Sequence, residues 1–201
     1  MTDARITIFD YGAGNLHSLA KAVASYGIAP AIETDPVLAV ETDVLLLPGV
    51  GAFAPAAARL APGRVRMQHA LAAGLPCLGI CLGMQLLFDE SDEGPGAGLA
   101  LIHGRVTKIA AKRLPQIGWN PVESPTDALF AGSGLLDVYY ANSYVCRLRD
   151  EGAVTAWSTH EGDRFPASVR LGRTVGVQFH PEKSSAAGVA FVHAFLKEML
   201  G

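Results

Sequence analysis

Residues 77–87 read CLGICLGMQLL, and this stretch decides the fold that the sequence predicts. The apolar residues CLGI predict a buried strand, and LGMQLLF (82–88) has the spacing of a helix. Between them, Gly79-Ile80-Cys81-Leu82-Gly83 is typical of a nucleophile elbow, a tight turn whose glycines remove side chains that would clash. The stretch therefore predicts that Cys81 lies at the carboxyl edge of a sheet, where open α/β sheets bind ligands.

Cys81 is the candidate nucleophile of the chain. Backbone amides at the start of the following helix would face its sulfur and favour the thiolate, which is the nucleophilic form. The alternative is a small buried apolar residue, as most free cysteines are. The flanking glycines favour the nucleophile for Cys81, whereas Cys77 lies inside the predicted strand and is expected to be structural, and Cys146 is given no role.

The surrounding patterns predict an α/β fold. DVLLLPG (43–49) is an apolar run ended by Pro-Gly, as in a parallel strand buried on both faces. A strand at 5–10 and helices at 16–26 and 65–73 give the alternation of βαβ units. Short strand patterns predict that residues 100–180 are β-rich and partly antiparallel. A last helix is expected to follow Ser184 or Ser185 as its N-cap.

Length and composition limit the possible functions. The 201 residues are 50% hydrophobic and 17% charged, which predicts one domain over residues 1–201. A net charge of −3 argues against binding nucleic acid or an anionic membrane. No membrane-spanning run or signal peptide is recognised, so a cytoplasmic protein is expected. Three cysteines without a Cys-x-x-Cys pair or ligand-spaced histidines predict no disulfide framework and no metal site, and no cofactor is expected.

A cysteine nucleophile that attacks a carbonyl needs a histidine to move protons and a third group to orient it. His180 follows the apolar run VGVQF and is expected at a sheet edge, as Cys81 is. Glu182 is two residues further on, and Pro181 is expected to hold the backbone extended, so that the carboxylate grips the imidazole. The alternative for His180 and Glu182 is a solvated loop. Surface or loop positions are expected for His17, His69, His103 and His160.

The sharp turn at Pro48-Gly49-Val50-Gly51 follows a predicted strand and is the candidate oxyanion site. The Val50 amide, together with the Leu82 amide after the cysteine, could donate two hydrogen bonds to a developing oxyanion. Glycine-rich turns after strands also bind phosphates, so this pattern alone leaves both possibilities open. Gly49 and Gly51 would also allow the Val50 peptide to change orientation.

Taken together, three motifs resemble the class I (triad) glutamine amidotransferases. They are PGVG (48–51), GICLGMQ (79–85) and VQFHPEKS (177–184), in this order. Within that family, four stretches are similar to the glutaminase subunit of imidazole glycerol phosphate synthase, an enzyme of histidine biosynthesis: FDYGAGNLHSL (9–19), LPGVGAF (47–53), LPQIGWN (114–120) and HPEKS (180–184). The resemblance runs from about Ile6 to the end. It implies a three-layer αβα sandwich of the flavodoxin-like kind, with a mostly parallel central sheet and an antiparallel β-rich part.

The resemblance also implies a reaction. Cys81 would attack the side-chain amide of L-glutamine, His180 would protonate the leaving ammonia, and water would hydrolyse the γ-glutamyl thioester. Glu182 would complete the catalytic triad. The residues implied to lie against the bound glutamine are Gly49, Gly51, Gln85, Ser143 and Tyr144.

A partner is implied in the same way. The cyclase subunit, a (β/α)8 barrel of the HisF type, would form a heterodimer with this chain and receive the ammonia. It would use the ammonia on a phosphoribulosyl formimino nucleotide, which yields imidazole glycerol phosphate and an aminoimidazole carboxamide ribotide. Asn15, Trp119 and Lys183 are implied to lie near the subunit interface.

Two residues depart from the pattern of many relatives. Gln116 replaces the histidine of Leu-Pro-His-x-Gly-Trp-Asn, and Asn142 replaces the histidine of His-Ser-Tyr. Both substitutes can still form hydrogen bonds, so they bear on coupling and substrate contact rather than on the triad.

Three alternatives remain beside this interpretation. They are a glutaminase subunit of another pathway, a non-enzymatic protein of the same fold with a reactive cysteine, and a cysteine peptidase or acyl hydrolase on a related fold. LPQIGWN and HPEKS argue against the first, and the His-x-Glu pair argues against the second.

Overall fold

The structure is a computed structural model that describes residues 4–12 and 16–201. Within these residues the strands, in chain order, are β1 (Ile6–Phe9), β2 (Ala31–Glu33), β3 (Val44–Leu47), β4 (Cys77–Ile80), β5 (Glu90–Ser91), β6 (Gly104–Lys108), β7 (Gln116–Pro121), β8 (Asp137–Asn142), β9 (Tyr144–Leu148), β10 (Val154–His160), β11 (Asp163–Leu171) and β12 (Thr174–Val177). The α-helices are α1 (His17–Ala24), α2 (Phe53–Leu60), α3 (Arg64–Ala72), α4 (Leu82–Gln85), α5 (Ala128–Ser133) and α6 (Ser185–Leu200). The 3₁₀ turns are Ala61–Gly63, Glu151–Ala153 and Pro181–Lys183.

The central sheet has seven strands in the order β10-β11-β12-β4-β3-β1-β2. Neighbours from β2 to β12 are parallel, and β11 and β10 continue the sheet in antiparallel pairing. Two smaller sheets, β5-β6-β9 and the antiparallel ribbon β7-β8, complete the β-rich part. The predicted α/β fold with a mostly parallel sheet and an antiparallel part is confirmed.

Helices cover both faces of this sheet because its strands are apolar on both sides. In β3, Val44 and Leu46 belong to a core cluster shared with α1 and α6. Leu45 and Leu47 belong to a second cluster, shared with α2 and α3. Successive side chains of a strand point to opposite faces, so an uninterrupted apolar run produces a three-layer αβα arrangement.

The pairing of three strands positions the candidate site. β4 lies between β3 and β12, and all three run parallel, with Leu47 opposite Gly79 and Val177 opposite Ile80. Their carboxyl ends therefore coincide at one edge of the sheet. The turn after β3, the elbow after β4 and the His-Pro-Glu segment after β12 are brought together there, although they are far apart in sequence.

Two local predictions are wrong, one helix was not predicted, and the predicted N-cap residue lies at its position without a capping hydrogen bond. The helix predicted from LGMQLLF is only the single turn α4, and residues 53–60, for which no element was predicted, form α2. Pro181 does not hold an extended segment but begins a 3₁₀ turn. Ser184 stands at the N-cap of α6 without capping it, because its hydroxyl donates to the His180 carbonyl at 2.7 Å and accepts from the Tyr139 amide at 2.9 Å.

Candidate active site

The elbow is a strained turn that only glycine neighbours permit. Cys81 has φ 48° and ψ −101°, a conformation that side-chain-bearing residues rarely adopt and that is found at functional sites. A Cβ on Gly83 would lie 2.0 Å from the Leu47 carbonyl oxygen, and one on Gly79 would lie 2.7 Å from the Gly83 carbonyl oxygen. The Cys81 amide donates to the Val177 carbonyl at 2.7 Å, which fixes the turn to β12.

His180 and Glu182 form a buried pair. The imidazole Nδ1 lies 2.8 Å from the Glu182 Oε1, and the two side chains are only 3% and 7% exposed. The His180 amide also donates to the Tyr139 carbonyl at 2.9 Å, which anchors the segment to β8. The carboxylate thus reaches the ring from within the 3₁₀ turn, so the predicted pairing is present although the backbone is not extended.

The charge of His180 is set by its neighbours. Burial alone would lower its pKa, but the Cys81 thiolate and the Glu182 carboxylate outweigh this and raise the pKa of His180 to about 10. The raised pKa favours the protonated imidazolium form of the ring. By contrast, burial raises the pKa of the Cys77 and Cys146 thiols well above the usual range. Those two thiols are poor nucleophiles at neutral pH.

A cavity of about 350 Å³ opens above the elbow. Its wall contains three sets of residues predicted from the sequence. They are Cys81 and His180, the oxyanion candidates Val50 and Leu82, and the substrate candidates Gly49, Gly51, Gln85, Ser143 and Tyr144. The volume suits a small-molecule substrate. The close approach of Gly49 to the base is part of this geometry, since a Cβ there would lie 2.8 Å from His180 Cε1.

Comparison with known proteins identifies the family to which this chain belongs. The family model described as "Glutamine amidotransferase class-I" matches residues 7–199. The chain belongs to the class-I glutamine amidotransferase family. The family and the fold predicted from the sequence are therefore confirmed.

Individual relatives of this amidotransferase are close along nearly the whole chain. The imidazole glycerol phosphate synthase subunit HisH of Symbiobacterium thermophilum is 46% identical over 193 residues, which is 92% of this chain and 90% of that protein. The subunit of the same name from Moorella thermoacetica is 44% identical over 196 residues, which is 94% of this chain and 93% of that one. The crystal structure of a glutamine amidotransferase from Thermotoga maritima has a TM-score of 0.72 at 16% identity, covering 100% of this chain and 99% of that chain.

Of the residues expected at a partner interface, the structure describes Lys183 and Trp119. Lys183 is exposed on the rim of the cavity. Trp119 lies outside it on β7, with 57% of its surface exposed. Asn15 lies outside the described residues.

Two residues of the site were missed in the sequence. Glu93 lines the cavity, and its Oε2 accepts a hydrogen bond from the Phe53 amide at 2.9 Å at the start of α2. In the sequence it is one acid among several in a glycine-rich loop, so nothing marked it. Gln178 is fully buried, and its Nε2 lies 3.5 Å from the Cys81 sulfur. A polar residue inside the apolar run VGVQF was the signal that could have revealed it.

The two departures from the family pattern lie side by side. Gln116 and Asn142 are paired across the β7-β8 ribbon, and both are buried. Asn142 lines the cavity and donates from Nδ2 to the Tyr144 carbonyl at 3.0 Å. Within the described part of the chain, its Oδ1 and the Gln116 Oε1 have no hydrogen-bond partner.

Residues 4–12 and 16–201 contain neither a metal-binding cluster nor a membrane-spanning helix. No group of three or more His, Cys, Asp or Glu side chains among them is arranged to hold a metal ion. No helix in the same residues has the length and apolar character needed to cross a membrane.

Proposed function

We propose that this chain is the glutamine-hydrolysing subunit of an imidazole glycerol phosphate synthase, and that it supplies ammonia for histidine biosynthesis. The observation that carries the proposal is the meeting of Cys81 with the His180–Glu182 pair at a cavity, in a chain related to HisH subunits. In this proposal residues 1–201 act as one amidotransferase domain. A reducing compartment suits its three free thiols, which favours the cytoplasm.

The first half of the reaction forms a thioester. The Cys81 thiolate attacks the γ-carboxamide carbon of glutamine, and the amides of Val50 and Leu82 donate to the developing oxyanion. When the C–N bond breaks, the His180 imidazolium gives its proton to the leaving nitrogen, which departs as ammonia. A raised pKa suits this step, because the ring must carry the proton at neutral pH before the bond breaks.

The second half restores the enzyme. The neutral imidazole of His180 takes a proton from water, and the resulting hydroxide attacks the thioester carbon. The C–S bond breaks, its electron pair returns to the Cys81 sulfur, and glutamate is released. Throughout, the Glu182 carboxylate accepts the Nδ1–H hydrogen bond and keeps Nε2 directed at the reacting atoms.

The cavity wall supplies groups for the amino-acid end of the substrate. Gln85 has its Nε2 held 3.0 Å from the Tyr144 carbonyl, so its position beside the elbow is fixed. Ser143 and Gly51 complete the wall that we assign to glutamine. The Glu93 carboxylate is the group with the charge to bind the α-ammonium of an amino acid, and the Phe53 amide holds it in place.

A partner surface adjoins the cavity. The outer side of the β7-β8 ribbon carries Ile117 and Trp119, which are 67% and 57% exposed, and Leu136, just before β8, is 60% exposed. Trp119 packs edge-on against Tyr139, with ring centroids 6.2 Å apart. Exposed apolar side chains grouped in this way are typical of interaction sites. We assign this surface, with Lys183 on the cavity rim, to the cyclase subunit, a HisF-type (β/α)8 barrel in a heterodimer.

The partner surface can be tested at its aromatic residue. Tryptophans at interface centres often contribute about 2 kcal/mol or more to binding, so Trp119→Ala should weaken cyclase affinity by about 30-fold. Isothermal titration calorimetry would measure the affinity, with Leu171→Ala as the control, because Leu171 is 49% exposed on β11, away from the ribbon. Equal affinities for both variants would reject this surface.

The catalytic assignment is tested by glutamine turnover. The chain is incubated with glutamine, alone and with a cyclase subunit, and released glutamate is measured. Cys81→Ala should abolish glutamine-dependent synthesis in the complex but spare synthesis from added ammonium. Absence of glutamate under both conditions would reject the amidotransferase proposal. Turnover that the cyclase does not stimulate would reject only the pathway and leave a glutaminase of another route.

A further inference from the structure

Gln178 is a buried polar residue beside the nucleophile that the mechanism above does not use. It follows β12 inside an otherwise apolar run and has no exposed surface. A buried amide is costly unless its donors and acceptor are bonded. Its Nε2 lies 3.5 Å from the Cys81 Sγ, within the range of an N–H···S hydrogen bond, and both groups are buried.

The orientation of this amide is fixed by its neighbours. The Tyr144 carbonyl can only accept, so the Gln85 atom that lies 3.0 Å from it must be the nitrogen. The same nitrogen lies 3.4 Å from the Gln178 Oε1. The oxygen of Gln178 therefore faces Gln85, and its NH₂ group faces the sulfur.

The backbone holds Gln178 in place independently of its side chain. The Gln178 amide donates to the Ala167 carbonyl of β11 at 2.9 Å. Phe179 follows and is fully buried, and His180 comes next. One short segment thus presents two groups to the sulfur: His180, which can carry a proton, and Gln178, a neutral donor whose amide does not ionise.

We propose that Gln178 is a further catalytic residue, whose side-chain N–H stabilises the Cys81 thiolate. The proposal rests on the function assigned above. The bond acts before attack, and again when the C–S bond of the thioester breaks and the electron pair returns to sulfur. The Oε1 of Gln178 also accepts a hydrogen bond from Gln85, a residue that we assign to glutamine binding. Gln178 therefore connects the Cys81 sulfur with the substrate site.

The test measures the reactivity of the thiol and needs no glutamine. The chain and its variants are treated with iodoacetamide between pH 5 and 10, and alkylation of Cys81 is followed by mass spectrometry of its peptide. Gln178→Met keeps the side-chain length and removes the donor. Hydrogen bonds to charged groups are strong enough that alkylation at pH 7 should become about 10-fold slower or more, with the pH midpoint moved upward.

A second variant and a control complete the experiment. Gln178→Glu keeps the acceptor for Gln85 but turns a carboxylate oxygen toward the sulfur, so it should slow alkylation at least as much. If Gln178→Met fails to fold, the alkylation rate of Gln178→Glu tests the proposal in its place. Thr7→Val serves as the control, because Thr7 is fully buried in β1 and its hydroxyl has no partner among the described residues. It should show the wild-type pH profile.

An unchanged pH profile in both Gln178 variants would overturn the proposal. A merely structural role predicts lower stability without a moved pH midpoint, so thermal unfolding is measured on the same samples. If wild-type protein releases no glutamate, the proposed function fails, but the alkylation comparison still reports whether Gln178 stabilises the thiolate.

Discussion

Replacing Gly83 with alanine tests whether the elbow depends on the close contact between α4 and β3. The new Cβ would lie 2.0 Å from the Leu47 oxygen, 2.6 Å from the Leu47 carbonyl carbon and 2.8 Å from the Leu47 Cβ. Non-bonded carbon and oxygen atoms need about 3 Å or more, so α4 must move away from β3 by about 1 Å. Two of the three atoms belong to the backbone of a central strand and cannot rotate aside.

This displacement should affect both stability and catalysis. Overpacking of this kind typically costs about 1–3 kcal/mol, which for a domain of this size lowers the melting temperature by about 2–12 °C. A misplacement of about 1 Å between nucleophile and substrate can reduce turnover by about 100-fold. The Gly83→Ala variant should therefore lose far more activity than its loss of stability explains at a temperature where it remains folded.

The measurements are calorimetric unfolding and glutamate release at saturating glutamine. Gly132→Ala is the matched control, because it makes the same chemical change on the exposed face of α5, where a new Cβ has nothing within 4 Å. Alanine is favoured over glycine within a helix by about 0.5–1 kcal/mol, so this control should be slightly more stable and fully active. A Gly83→Ala variant with wild-type turnover would refute the argument.

Two further predictions concern the triad. Cys81→Gly should be inactive yet more stable than Cys81→Ala, because glycine relieves backbone strain of about 1–3 kcal/mol at φ 48° and alanine retains it; a higher melting temperature for the alanine variant would contradict this. Glu182→Gln weakens one cause of the raised pKa of His180, which is about 10 in the folded protein against about 6.5 when unfolded. A raised folded-state pKa stabilises most below the unfolded value, and the effect is lost as pH rises through the folded value. The difference in unfolding free energy between wild type and Glu182→Gln, measured in urea, should therefore be largest at low pH and narrow as the pH rises toward about 10, the folded-state pKa of His180 in the wild type. A constant difference would count against this prediction.

Much of the fold was predictable because its strands are short and strongly apolar. The run at 43–49 and the run before the elbow are continuously apolar, which predicts parallel strands buried on both faces. The pairing of β7 with β8 as a separate ribbon was not predicted, because neither segment alone shows which strand it pairs with, and the apolar residues Ile117 and Trp119 are exposed and so mark no core-facing side. Helix α2 was missed because its alanine-rich sequence, FAPAAARL, contains a proline.

The residues of the site also fall into those that the sequence predicted and those that it did not. Cys81, His180 and Glu182 were found because each has a distinctive local context. Gln178 and Glu93 were not found, because their importance depends on what approaches them from other elements. The 3₁₀ turn at Pro181 also could not be read locally: proline is compatible with extended backbone and with the first turn of a helix, and contacts to β8 select the second.

The interior position of β12 has a consequence for the order of events during synthesis. Gln178 and Cys81 are 97 residues apart, and β12 must insert between β4 and β11 before the two meet. Such non-local pairings form late and slowly compared with local ones. During synthesis, a nascent chain in which Cys81 has left the ribosome but β12 and His180 have not contains the nucleophile without its base. Such a partly made chain is therefore unable to consume glutamine.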